Sequence, residues 1–198
     1  MTMRRDQTGS RIGMWIFLFT EILLFGGLFM LYSVYLHQFR DDFHYGASNL
    51  DTMMGTANTA VLLTSSLTMV LAVAAAGMGK RKHTLLFLMS TIGLGALFLV
   101  NKYFEWSAKI EHGLYPNSKV LLGHTPGEHI FYSLYYLMTG LHALHIVIGL
   151  VILAVMVVFA LGDKNRELLA GRMENSGLYW HLVDVVWIFL FPLFYLIT

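Results

Sequence analysis

A chain of 198 residues that is 57% hydrophobic and 13% charged, with a mean hydropathy of +0.62, is an integral membrane protein and not an ordinary soluble domain. Its formal net charge of +1, with basic residues confined to short clusters between apolar runs, leaves no nucleic-acid footprint. Without cysteine there is no disulfide, iron–sulfur cluster, thiolate-bound metal or thiol nucleophile, so the candidate metal or haem ligands reduce to nine histidines.

Five apolar runs, at about 12–36, 53–78, 84–105, 128–161 and 175–196, are each long enough to cross roughly 30 Å of hydrocarbon as a helix rising about 1.5 Å per residue. They predict an all-α fold, a single transmembrane bundle of five helices over residues 1–198, since the alternating pattern of a membrane barrel is absent. The first run continues too far beyond Arg11, with no small-residue cleavage site, to read as a secretory signal. The fourth exceeds the bilayer and should tilt or project into water.

Basic residues predict the orientation. Arg4, Arg5 and Arg11 precede the first run, Lys80, Arg81 and Lys82 separate the second from the third, and Lys164, Arg166 and Arg172 separate the fourth from the fifth. That bias places the N-terminus in the cytoplasm and the C-terminus outside.

Within the first run Glu21 lies ten residues after Arg11, about 15 Å along a helix and so near mid-membrane. A lone carboxyl at that depth is a functional candidate by default. The second run carries Asn58, Ser65, Ser66 and several threonines, which suit close helix packing. The third ends with Lys102, Glu105 and Trp106. A local ion pair accounts for the first two, with Lys102 snorkelling outward and Trp106 anchoring at the interface.

The connection from Trp106 to Gly127 holds two prolines and three glycines and reads as turns; His112 and His124 within it and His129 just after it are spaced too irregularly to favour a metal over solvation. In the fourth run Thr139, His142, His145 and Gly149 follow one face. In the fifth, Glu174, Gly177, His181 and Asp184 fall on one stripe that must face another helix or a protein-lined cavity. Replacing Asp184 by leucine is expected to cost about 1 to 3 kcal/mol by leaving its partners unpaired.

Two histidines on the fourth run and one on the fifth raise the possibility of a haem or a copper or zinc site. From the run boundaries, however, His142 and His145 lie roughly 15 Å or more from the level of His181, which argues against both. No nucleophile elbow supports a hydrolase. A proton or small-solute transporter stays open, although neither an inverted repeat nor paired broken helices are evident. The residues by themselves lead to an accessory membrane subunit with no active site of its own.

In order along the chain, GMWIFLFTEILLFGGLF, NTAVLLTSS, KRKH, the Glu-Trp closing the third run, TGLHALHIVIGL and MENSGLYWHLVDVVWIFLF resemble subunit III of the haem-copper terminal oxidases, over about residues 13–195. The resemblance implies a non-catalytic subunit of the plasma membrane of a prokaryote that binds no metal and packs directly on subunit I, with subunit II in the same complex. Haems and copper are expected in those partners. It also implies roles in keeping subunit I active during turnover, in proton uptake and in phospholipid binding. By the same resemblance Glu21 matches the family's carbodiimide-reactive carboxyl. Glu105, His142, His145, Glu174, His181 and Asp184 match polar positions of later helices, candidates for a lipid cleft or for proton supply. Many relatives carry two further spans that form one wall of that cleft. Lys164 and Arg166 could meet lipid phosphate but do not match the family's headgroup residues. Glu21 and Glu174 resemble the cytochrome c branch more than the quinol branch; the alternatives are subunit III of a quinol oxidase and the related short accessory protein of nitric oxide reductases.

Overall fold

The computed structural model describes residues 2–162 and 166–197, without the side chains of 2–8, 122 and 166. It contains six α-helices: α1 Thr2–Gln38, α2 Arg40–Ser48, α3 Thr52–Gly77, α4 Arg81–Glu111, α5 Pro126–Gly162 and α6 Arg166–Tyr195, with a short 3-10 turn at Leu121–Gly123 before α5. Five of them, all except α2, are long and apolar enough to cross a membrane.

The five-helix expectation therefore needs α2 added. Its sequence, Arg-Asp-Asp-Phe-His-Tyr-Gly-Ala-Ser, has no hydropathy signal for a span. Yet Asp41 and Asp42 suit a first helical turn, and Phe43, Gly46 and Ala47 form an apolar face at helical spacing. That face is buried against α5, with Phe43 edge-on to Phe131 at 5.4 Å between centroids.

The helices also outrun the apolar stretches, because helical backbone need not stop where hydrocarbon does. The largest extensions are at the starts of α1, at Thr2 and not near Ile12, and of α6, at Arg166 and not near Asn175. Two helix ends, those of α3 and α4, are closed by left-handed glycines. At the end of α3, Gly79 has φ of 73°, and bonds from Lys80 N to Ala75 O (2.9 Å) and Gly79 N to Ala76 O (3.0 Å) close the helix. Gly113, with φ of 72°, ends α4 in the same way. Asp51 then caps the start of α3 by accepting from Met54 N at 3.0 Å.

Helices α3, α4, α5 and α6 form the core, with α6 against both α3 and α5 and α4 against α3 and α5. The centre of α6 is held by Trp180, which is fully buried between two helix backbones. A Cβ at Gly95 would approach its ring to 2.7 Å and one at Gly149 to 2.9 Å, so glycine on both sides is what admits the indole. Its Nε1 donates to Ser65 Oγ at 2.8 Å, so no polar atom of the ring is left unbonded.

Helix α1 stands apart. Among the described residues it touches α2, α5 and α6, and Trp15, Ile16, Phe19 and Leu23 line an exposed apolar flank suited to lipid or another membrane helix.

Candidate functional site

Three sets of polar groups inside the bundle contain the residues singled out from the sequence. The most enclosed joins α4, α5 and α6. Lys102 and Glu105 lie one turn apart on α4 with side chains only 2% exposed, and Lys102 Nζ donates to Glu105 Oε2 at 3.0 Å. Lys102 therefore does not snorkel outward; its stem turns into the bundle because partners wait there. Nζ also donates to Tyr195 OH at 2.7 Å and Tyr135 OH at 3.2 Å, and both phenols donate to Glu105 Oε1, at 2.5 and 2.6 Å. The rings of Tyr135, Trp187 and Tyr195 surround the ammonium at 5.1 to 5.3 Å from their centroids. One level inward, His142 is fully buried between Phe98 and Trp187, and neither ring nitrogen has a partner among the described residues. Asn101 donates to Asn58 at 2.8 Å, bonding α4 to α3.

The second set joins α1 to α5. Glu21 Oε2 lies 2.9 Å from His145 Nε2, with side chains 14% and 10% exposed. His145 Nδ1 faces the Leu141 carbonyl at 2.8 Å, and a carbonyl only accepts, so Nδ1 carries a hydrogen. The remaining bond then takes one of two forms. Either Glu21 donates a carboxyl proton to neutral Nε2, or an imidazolium donates to a carboxylate. In both, a single proton lies between the two residues.

The third set lies on α6. The predicted stripe divides between two neighbours: Glu174 pairs with Arg11 of α1, whereas Gly177 meets Val73 and Met69 of α3 and His181 Nδ1 lies 2.8 Å from Ser66 Oγ. The Arg11–Glu174 pair is 60% and 44% exposed, so it contributes little on its own. Asp184 is buried near Ser66, but neither carboxyl oxygen has a partner among the described residues. Removing it would leave no protein group unpaired, so the 1 to 3 kcal/mol loss expected from the sequence does not follow from these contacts.

Among the described residues no three histidine or acidic side chains converge. The depth separation is smaller than the sequence suggested. With α6 starting at Arg166, His181 lies about 15 residues into it and His142 about 20 residues before the end of α5, a difference of about 8 Å along the helices. His145 uses both nitrogens within the protein, His142 is closed between aromatic rings, and His181 turns toward α3. In the connection before α5, His124 Nδ1 lies 2.6 Å from Glu128, while Lys164 and the Arg166 side chain fall outside the described residues.

Sequence reasoning missed Tyr135 and Tyr195, which complete the Lys102 site, and Ser66 and Arg11, which partner His181 and Glu174. Tyr195 lies 93 residues from Lys102, and nothing in spacing alone joins them. A usable signal was the cost of burying Lys102 at the polar end of a span, which requires acceptors at the same depth on neighbouring helices.

The profile of the family described as cytochrome c oxidase subunit III matches residues 2–198. Cytochrome c oxidase subunit 3 of Corynebacterium diphtheriae is 31% identical over 188 residues, 94% of this chain and 87% of that protein. Cytochrome bo(3) ubiquinol oxidase subunit 3 of Pseudomonas aeruginosa is 30% identical over 196 residues, 96% of this chain and 87% of that one. A third relative, the heme-copper oxidase subunit I+III of Aeropyrum pernix, is 30% identical over 197 residues; these are 94% of this chain but only 22% of that fused protein.

Proposed function

The chain belongs to the cytochrome c oxidase subunit III family, and from that premise we propose that it supports a haem-copper respiratory oxidase structurally and through proton supply. The family match across residues 2–198 carries the proposal, and as a subunit III the chain is part of a multi-subunit oxidase of the cytochrome c or quinol type. Direct packing on subunit I is supported by the relative in which the two are fused. Subunit II belongs to the proposed complex, whose haems and copper reside in the partner subunits and which reduces oxygen to water while pumping protons. Cytochrome c is the proposed donor, on the weight of Glu21 and Glu174.

The non-catalytic role is supported by how the internal groups are used. Lys102, Glu105, Tyr135 and Tyr195 satisfy one another, and an ion pair bonded on every side is suited to holding helices rather than to turnover. Glu21 and His145 are the pair suited to proton supply, since together they hold one proton within the membrane. His142, Glu174, His181 and Asp184 are assigned to the supporting polar interior and its lipid contacts.

The N-terminus is assigned to the cytoplasm of a prokaryotic plasma membrane, on the basic clusters near Arg11, Lys80 to Lys82 and Arg172. A reporter fused after Thr198 is expected to be active only outside; cytoplasmic activity would reverse the assignment.

Affinity purification of the tagged chain from native membranes tests the central claim. The expected result is copurification of a haem-bearing subunit I, with a Soret band that disappears when the chain is purified alone. Recovery without subunit I would reject the proposal.

A further inference from the structure

At the end of the bundle where α1 and α6 finish, an open cavity of about 450 Å³ lies between the last turns of α1, the start of α2 and the chain after α6. It is lined by Ser33, Leu36, His37, Arg40, His44 and Ile197. Three of these six side chains are basic or can become so, and no acidic residue lines the cavity. Asp42, two residues from Arg40, is turned against Gly127 at the start of α5. None of Arg40, His37 and His44 takes part in an ion pair among the described residues.

We propose that this cavity binds a phosphate-bearing anion through Arg40, with His37, His44 and Ser33 completing the donors. A guanidinium presents several N–H groups in a fixed fork that matches phosphate oxygens, and imidazole and hydroxyl add directional donors beside it. Leu36 and Ile197 give the cavity an apolar side as well, and its volume is in the range of ligand pockets, roughly 300 to 1,000 Å³. The flank of α1 one to two turns below the rim exposes Met30, Leu31 and Val34. A phosphodiester held at the rim could therefore lay acyl chains along that flank. The chemistry is shared by a phospholipid headgroup and by free phosphate. The inference rests on the membrane reading only in placing the ends of α1 and α6 at headgroup level, and it can fail while the chain still assembles with subunit I.

The test uses the delipidated full chain in dodecyl maltoside and native mass spectrometry. It is titrated with phosphatidylglycerol, with diacylglycerol as the phosphate-free control, and with phosphatidylglycerol in the presence of millimolar inorganic phosphate. Wild type is expected to retain phosphatidylglycerol and not diacylglycerol, and Arg40→Gln to weaken retention at least about tenfold. If inorganic phosphate does not compete, the ligand is the lipid headgroup; if it does, free phosphate occupies the same site. Should Arg40→Gln not fold, the His37→Gln/His44→Gln double variant carries the same comparison. Equal retention by wild type and variant, or equal binding of diacylglycerol, would overturn the proposal.

Discussion

Replacing Glu105 with alanine is expected to lower the stability of the bundle by about 3 kcal/mol, the low end of the roughly 3 to 5 kcal/mol seen when one member of a buried ion pair is removed. The low end applies because Lys102 would not be left bare. Tyr195 and Tyr135 still offer hydroxyl oxygens at 2.7 and 3.2 Å, and three aromatic rings still surround the ammonium. Such ring contacts contribute up to about 2 kcal/mol or more where water is excluded. What disappears is the counter-charge and the acceptor that both phenols share. Each then has to find a new acceptor, and the nearest is the other, 3.3 Å away.

The double variant Lys102→Met/Glu105→Leu distinguishes loss of a pair from stranding of a charge. Removing both ions removes both desolvation costs, so its unfolding midpoint in dodecyl maltoside should return close to wild type or exceed it. If Glu105→Ala alone melts like wild type, water reaches Lys102 and the enclosed site described here is wrong.

How much of this could be read from the sequence depends on the range of the interaction. The five spans were legible because hydropathy is a local sum, and the Lys102–Glu105 pair because its members are one turn apart. The other two residues of that site, Tyr135 and Tyr195, were not legible, since which helix stands beside which is a tertiary fact. Helix α2 was missed for a related reason: a nine-residue amphipathic helix resembles a polar connection until α5 supplies the apolar wall for Phe43. The fifth-span stripe illustrates the converse. Its residues do share a face, but that face meets two helices, so Glu174 turns to α1 while His181 and Gly177 turn to α3. Periodicity fixes direction around a helix and not the identity of the neighbour.

The attachment of α1 supplies the second large expected effect. This helix has few packing partners and is fastened by polar bonds at three levels: Arg11 to Glu174 near one end, Glu21 to His145 in the middle, and Tyr32 OH to the Leu193 carbonyl near the other. The first is largely exposed and weak, and the last lies beyond mid-membrane toward the end of α6, so the central clasp governs whether the middle of α1 stays docked. His145→Leu removes it and leaves the Glu21 carboxyl facing an apolar side chain, a loss of about 1 to 3 kcal/mol. A 2 kcal/mol loss corresponds to roughly thirtyfold more frequent opening, on the scale in which 1.4 kcal/mol is tenfold.

Hydrogen exchange in the intact oxidase should therefore show lost protection concentrated in α1, with α3 and α4 unchanged, together with faster loss of activity during turnover. His145→Gln, whose amide can still donate to Glu21, should restore most of the protection. It should not restore a proton-supply function, because an amide cannot take up the proton that the imidazole and carboxyl share. Rescue of docking without rescue of turnover would separate the two roles, whereas unchanged exchange in His145→Leu would show that α1 is held by partners other than this bond.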